Sequence, residues 1–246
     1  MEGFADVRHW IALAIIVPLA LAGCHKKSTS NSNGNGEWDI ETQGIPKFVQ
    51  TDYTDLGAID RISCFRSAYG HDYTHDDHLE HCRSMKHYFW PKGGDPGWSH
   101  NPSWTTIPIR SPIAGTVTRL MPEFTGIQIW IGSDAYPAFE FRIFHVGISP
   151  TLLEGDKVSE GQVLGHHGGD EAMSDIAVRV ATPNGWRLVS YFDVMTDELF
   201  QTYVSRGVVS RSQLIITKAE RDADSLTCSG EQFITTGNLE NWVPLN

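Results

Sequence analysis

Between positions 71 and 87 the chain holds a high density of groups able to bind a metal ion or move a proton: His71, Asp72, His75, Asp76, Asp77, His78, His81 and His87. Imidazole nitrogens and carboxylate oxygens at short spacing suit zinc, which needs three protein ligands and one open position in a catalytic site. If residues 75–86 form a helix behind Thr74, His78 and His81 share one face at i and i+3. The plain alternative is a solvated loop that binds nothing. A second pair, His166-His167, follows Gly165 and reads as loop rather than ligand.

The elements that must position these groups are mostly strands. From residue 105 to 192 the sequence runs in short stretches rich in β-branched and aromatic residues, punctuated by Gly and Pro. Strands are predicted at 105–109, 115–120, 126–131, 138–146, 162–164, 175–181 and 186–192. Pro183-Asn184-Gly185 supplies hairpin-turn chemistry between the last two. The expected class is mainly β, a compact barrel-sandwich hybrid with short C-terminal helices. In the tail, Leu199, Phe200, Tyr203 and Val204 fall on one helical face before Gly207. Thr217-Lys218-Ala219-Glu220 is a capping box opening a second helix.

The front of the chain carries a different signal. An apolar run from Trp10 to Gly23 is too short to span a bilayer but has the length of a signal-peptide core. Leu21-Ala22-Gly23-Cys24 looks like the lipobox of bacterial lipoproteins, with lipid added to Cys24 and cleavage before it. Residues 26–36 contain no apolar side chain and cannot order themselves by burial. The expected organisation is a signal peptide at 1–23, a flexible linker at 24–37, a β domain at 38–192 and a helical extension at 193–246 packed on it. His rather than Asp at position 25 implies, by resemblance, placement in the cell envelope at the outer membrane, facing the periplasm.

A formal charge of -11 argues against nucleic acid as a partner. Beyond Cys24 there are Cys64, Cys82 and Cys228. An oxidising compartment favours one disulfide and leaves one thiol over; the sequence does not decide which two pair.

Four stretches together resemble the lysostaphin-like zinc endopeptidases, which cut peptide cross-bridges in peptidoglycan. They are Ser67-Ala68-Tyr69-Gly70; the stretch from Ile107 through Pro112 to Val117; Gly155-Asp156-Lys157-Val158 with Gly161-Gln162-Val163-Leu164-Gly165; and the closing hairpin from Asp175 to Tyr191. The resemblance implies a first metal ligand at His87, but the Asp expected four positions later is Pro91. It implies a catalytic histidine at His145. The paired histidines of the closing hairpin fall on Asp175 and Ala177, so Asp175 is left only as a stand-in for the general base. Two of three expected zinc ligands are missing. In the resembling fold the segment at His71 borders the cleft, so His71, Asp72, His87, His145 and Asp175 are the candidates to rebuild a site.

Two functions follow as expectations. The first is a lipid-anchored envelope protein whose cleft binds peptidoglycan or an envelope partner without cutting, with no cofactor. The second is an active zinc hydrolase using rearranged His and Asp ligands. A long Gly/Pro loop at 91–102 is either a lid over the cleft or tolerated surface.

Overall fold

The computed structural model describes residues 36–94, 104–148, 151–169 and 173–246. The expected signal peptide, Cys24, nearly all of the linker and most of the Gly/Pro loop lie outside the described residues.

In chain order the elements are α1 (Ile40–Gln43), β1 (Ile59–Ser63), β2 (His87–Pro91), β3 (Pro108–Arg110), β4 (Gly115–Pro122), β5 (Ile127–Ser133) and β6 (Phe139–Ile148). Then come β7 (Lys157–Val158), β8 (Val163–His167), β9 (Ser174–Thr182), β10 (Gly185–Val189), α2 (Tyr191–Val194), α3 (Asp197–Val204) and α4 (Lys218–Ala223). The short strands β11 (Cys228–Ser229), β12 (Gln232–Phe233) and β13 (Trp242–Pro244) end the chain. The class is mainly β, as expected. All strands except the β11–β12 hairpin join one antiparallel sheet in the order β13-β1-β2-β9-β6-β5-β4-β7, with β10 on β9 and the β3–β8 pair attached through β6. The sheet bends on itself without closing into a barrel.

Alternation along the central strands sorts side chains into two faces. Ile176, Val178 and Val180 of β9, Phe139, Phe141 and Ile143 of β6, and Phe89 of β2 enter the main apolar core. A second, smaller apolar cluster is formed by Phe65, Tyr73, Met85, Phe144, Ala177 and Leu188, of which Phe144 and Ala177 alternate onto the opposite face of β6 and β9.

Several expectations change. Residues 75–86 are turns, not a helix. Asp77 explains much of this: its carboxylate accepts from the backbone N–H of Leu79 and of Leu188 and pairs with Arg187, bonds that compete with helix formation. Buried Glu80 binds both Arg66 and Arg83, and Cys82 takes a positive φ of 50°, which a helix does not allow. His166 and His167 belong to β8 rather than to a loop. The final hairpin strand stops at Val189, because Ser190 caps α2 through its hydroxyl. Helix α3 and the Thr217–Glu220 capping box are present as read. The tail also returns to the sheet: β13 pairs with β1, Val243 opposite Ile62. Cys82 and Cys228 form the disulfide, and Cys64 is a buried free thiol whose pKa burial raises to about 12.

Candidate functional site

A cavity of about 670 Å³ opens on the sheet face opposite the main core. Its walls come from the segment following Gly70, from the end of β4, and from β5 and β6. Gly70 has φ +75°, and a Cβ there would meet the Tyr88 hydroxyl at 2.1 Å, so only glycine lets this segment run so close to β2.

The floor is set by the register of β2 on β9. Tyr88 lies opposite Asp175, so Lys86, Tyr88 and Asp175 project to the cavity side while His87 and Ile176 project to the core. The Lys86 ammonium donates to Asp175 Oδ2 at 2.6 Å, with both side chains essentially inaccessible, 1% and 0%. It also donates to His71 Nε2 at 3.1 Å and lies 3.8 Å from the centroid of Phe144, with Tyr73 and Tyr88 at 4.8 and 5.2 Å. Burial alone would lower the lysine pKa. The Asp175 carboxylate together with the Tyr88 and Tyr73 side chains outweighs it and holds the ammonium above its ordinary value.

Burial, then the neighbouring ammonium, push the His71 pKa down. One tautomer satisfies both of its bonds, with Nδ1–H donating to the Asp72 carbonyl at 3.0 Å and Nε2 accepting from Lys86.

His145 reaches the cavity through a defect in β6. Strict alternation after Ile143 and Phe144 would turn residue 145 toward the core. The β5–β6 register shifts between Ile127↔Val146 and Ile129↔Ile143, and His145 takes φ 56°. This bulge re-aims the imidazole outward and returns Val146 to the core. It also swings the end of β6 onto β8, where Val146 faces His167. Gly126 makes room: a Cβ there would lie 2.7 Å from the Val146 carbonyl oxygen. Glu123 accepts from the His145 backbone N–H at 2.7 Å and sits 3.2 Å from Nδ1; the other ring nitrogen is 3.7 Å from Asp175 Oδ1. Burial raises the Glu123 pKa against the pull of His145. Lys86, Asp175, His145 and Glu123 therefore alternate in potential charge along one line.

The rim is apolar and aromatic. Phe124 is 78% exposed, its ring 4.9 Å from that of His145. Trp130, Met121 and Met173 continue the wall. Tyr73 is fixed by Arg142, which donates to its hydroxyl at 2.7 Å and pairs with Asp76. Glu231, on the β11–β12 turn, closes one side 3.5 Å from His71.

Of the residues singled out from sequence, His71 and His145 line this cavity, and Asp175 lies buried beneath it, paired with Lys86. Asp72 supports them from behind, its backbone carbonyl on His71 and its carboxylate on the Arg83 N–H and the Thr74 hydroxyl. His87 stands apart, on the far side of the sheet. Its Nδ1–H donates to the Ser63 carbonyl and its Nε2 accepts from the Ser190 hydroxyl, both at 2.8 Å, between the rings of Phe65 and Phe192. Burial lowers its pKa to about 4. With both ring nitrogens engaged, His87 has no lone pair left for a metal. His167 lies buried in β8, stacked on Trp104 at 3.7 Å with Nε2 3.4 Å from the Thr54 hydroxyl. Lys86, Glu123, Phe124 and Glu231 were not read from the sequence as parts of a site. For Lys86 a signal existed: in a strand the neighbour of a core-facing residue faces the other way.

A zinc ion does not fit these residues. Pro91 and Ala177 offer no donor atom, and Ala177 packs in the smaller apolar cluster. No group of three His, Cys, Asp or Glu side chains converges to metal-binding distance among the described residues. The Asp175 carboxylate beneath the cavity is already paired with the Lys86 ammonium.

No family model and no curated protein matches the chain. Fourteen solved chains match by fold. Csd3 of Helicobacter pylori is 16% identical over 65% of this chain and 41% of its own, with a TM-score of 0.41. The catalytic domain of the prophage-encoded M23 protein EnpA of Enterococcus faecalis is 18% identical over 59% of this chain and 93% of its own, TM-score 0.35. Lysostaphin, whose family the sequence resembles, is 16% identical over 51% of this chain and 52% of its own, TM-score 0.32. The chain covers 44%, 46% and 41% of the length of three of the matched structures.

Proposed function

We propose that this chain is a lipid-anchored protein of the bacterial cell envelope, facing the periplasm at the outer membrane, with a peptidase-like cleft that binds peptidoglycan peptide or a wall-hydrolase partner without cutting. The observation that carries the reading is the buried Lys86–Asp175 pair on the cavity floor. A hydrolytic metal site needs an open coordination position and a bound water. Here an ammonium with aromatic rings around it fills the centre of the cavity floor, which leaves binding as the chemistry available. The cavity has the size and composition of a ligand site, with apolar walls and a few convergent polar groups. The Cys24 lipobox and the apolar run before it support the anchor, and the polar stretch at 26–36 supports a tether between membrane and domain.

The test is incubation of the full chain with purified cell-wall sacculi, with and without a chelator. The protein is expected to pellet with sacculi equally in both conditions and to release no soluble wall fragments. Chelator-sensitive release of fragments would establish the hydrolase in its place.

A further inference from the structure

We propose that the cleft selects a primary ammonium, an alkylammonium group of the wall peptide that pairs with Glu123 and packs along the ring of Phe124. The inference rests on the wall-binding reading above and names the chemistry that the cleft takes.

The charges around the cavity leave only carboxylates without a fixed counter-ion. Lys86 is neutralised by Asp175. Arg142, stacked on Trp130, pairs with Asp76 and Glu140, and Arg179 pairs with the same two. Glu123 and Glu231, both in the wall, pair with no Lys or Arg among the described residues. Their partners are the imidazoles of His145, at 3.2 Å, and His71, at 3.5 Å.

Glu123 is the better placed of the two. Its Oε2 accepts from the His145 backbone N–H, so the β6 bulge that re-aims His145 also fixes this carboxylate. Its Oε1 accepts no hydrogen bond among the described residues. The side chain is only 16% exposed, so a cation that reaches it is partly shielded from water. Burial raises its pKa against the pull of His145, as for a carboxylate short of counter-charge. Phe124 comes next in the chain and is largely exposed, which sets an aromatic face beside the carboxylate. That pair suits a methylene chain ending in an ammonium, its stem on the ring and its head at the carboxylate. Tyr88, 5% exposed, lines the same cavity with a hydroxyl that has no hydrogen-bond partner, an acceptor for a further ligand N–H. A ligand carboxylate finds no such reception, because the buried Lys86 ammonium already spans Asp175 and His71.

The experiment measures pelleting of the full chain with three preparations of purified sacculi: untreated, N-acetylated with acetic anhydride, and carboxyl-blocked as methylamides. Acetylation turns each amine into a neutral amide and is expected to lower affinity about tenfold, as for loss of one charge-assisted hydrogen bond. Carboxyl blocking is expected not to lower it. On untreated sacculi Glu123→Gln is expected to lose about the same factor with its unfolding midpoint unchanged, since the amide oxygen still accepts from the His145 N–H. Acetylation is then expected to change the variant's binding little further. Should the variant not fold, the acetylation arm on the natural chain decides alone. Affinity that survives acetylation, or that falls on carboxyl blocking instead, overturns this inference and leaves the wall-binding reading standing. Additive losses from acetylation and Glu123→Gln also overturn it, since they place the amine elsewhere on this acidic chain. A natural chain that ignores untreated sacculi overturns both.

Discussion

His87 and Lys86 are adjacent in sequence and have opposite roles, and the difference is one residue of strand period. His87 turns inward, where a hydroxyl and a carbonyl saturate its two nitrogens. Replacing it with Ala leaves a cavity and strands two buried polar partners, an expected loss of about 2–4 kcal/mol in denaturant unfolding. Sacculus binding by the folded His87→Ala protein is expected to be unchanged, because the residue lies on the far face of the sheet. Motif matching alone placed His87 at the metal position, because it compares spacings and not faces. Asp175 and His145 stood out in the sequence through the family resemblance, which aligns them with the closing hairpin and the lone catalytic histidine. Their partners were not. Lys86 lies 89 positions from Asp175 and Glu123 lies 22 from His145, and only the sheet register brings either pair together.

Among the elements, the β6 bulge and the β11–β12 hairpin shape the cavity most directly. The strands from 115 onward were readable because alternation and turn residues repeat there, whereas β1 and β2 were hidden in a sequence dense in His, Asp and Cys. Residues 75–86 suit a helix by local spacing but form turns, because their order comes from buried Arg–carboxylate pairs, to which local periodicity is blind. The hairpin is held to this segment by the Cys82–Cys228 disulfide and by the Asp72 N–H donating to the Glu231 carbonyl. It buries little of its own surface, most of residues 225–238 being exposed. With cysteines 146 positions apart, the chain-entropy account gives the bridge roughly 5 kcal/mol. Reduction is therefore expected to raise amide exchange over residues 228–234 and around Asp72. The central strands β5, β6 and β9 are expected to stay protected at temperatures where the domain remains folded. Uniform loss of protection across the sheet would contradict a locally attached hairpin.

At the scale of the whole molecule, two buried histidines and the partly buried Asp52 contribute an acid dependence. His87 and His167, lowered by burial to about 4 and about 3, stay neutral in the fold while unfolded histidines gain protons below ~6.5. Each therefore removes stability as pH falls from ~6.5. Asp52 acts the other way. Burial raises it to about 6 despite hydrogen bonds from Tyr203 and Tyr191, so the fold takes up a proton before the unfolded chain does. Two losses against one gain leave a net fall of about 1.4 kcal/mol per pH unit between pH 6 and 4 from these groups. Asp52→Asn removes the gain and is expected to about double that slope in urea unfolding at stepped pH; an unchanged slope would contradict the assignment. Asp52 also ties α2 and α3 to the segment before β1, so part of the tail's attachment runs through one carboxylate that sequence composition does not reveal. Under the proposed function the aromatic-rimmed cavity itself engages the wall. Phe124 tests it most directly, because a side chain this exposed contributes little to folding. Sacculus affinity of Phe124→Ala is expected to fall about tenfold, as for the loss of one buried aromatic contact, with the unfolding midpoint unchanged. Undiminished affinity in that variant would place wall binding elsewhere on the molecule and contradict the account.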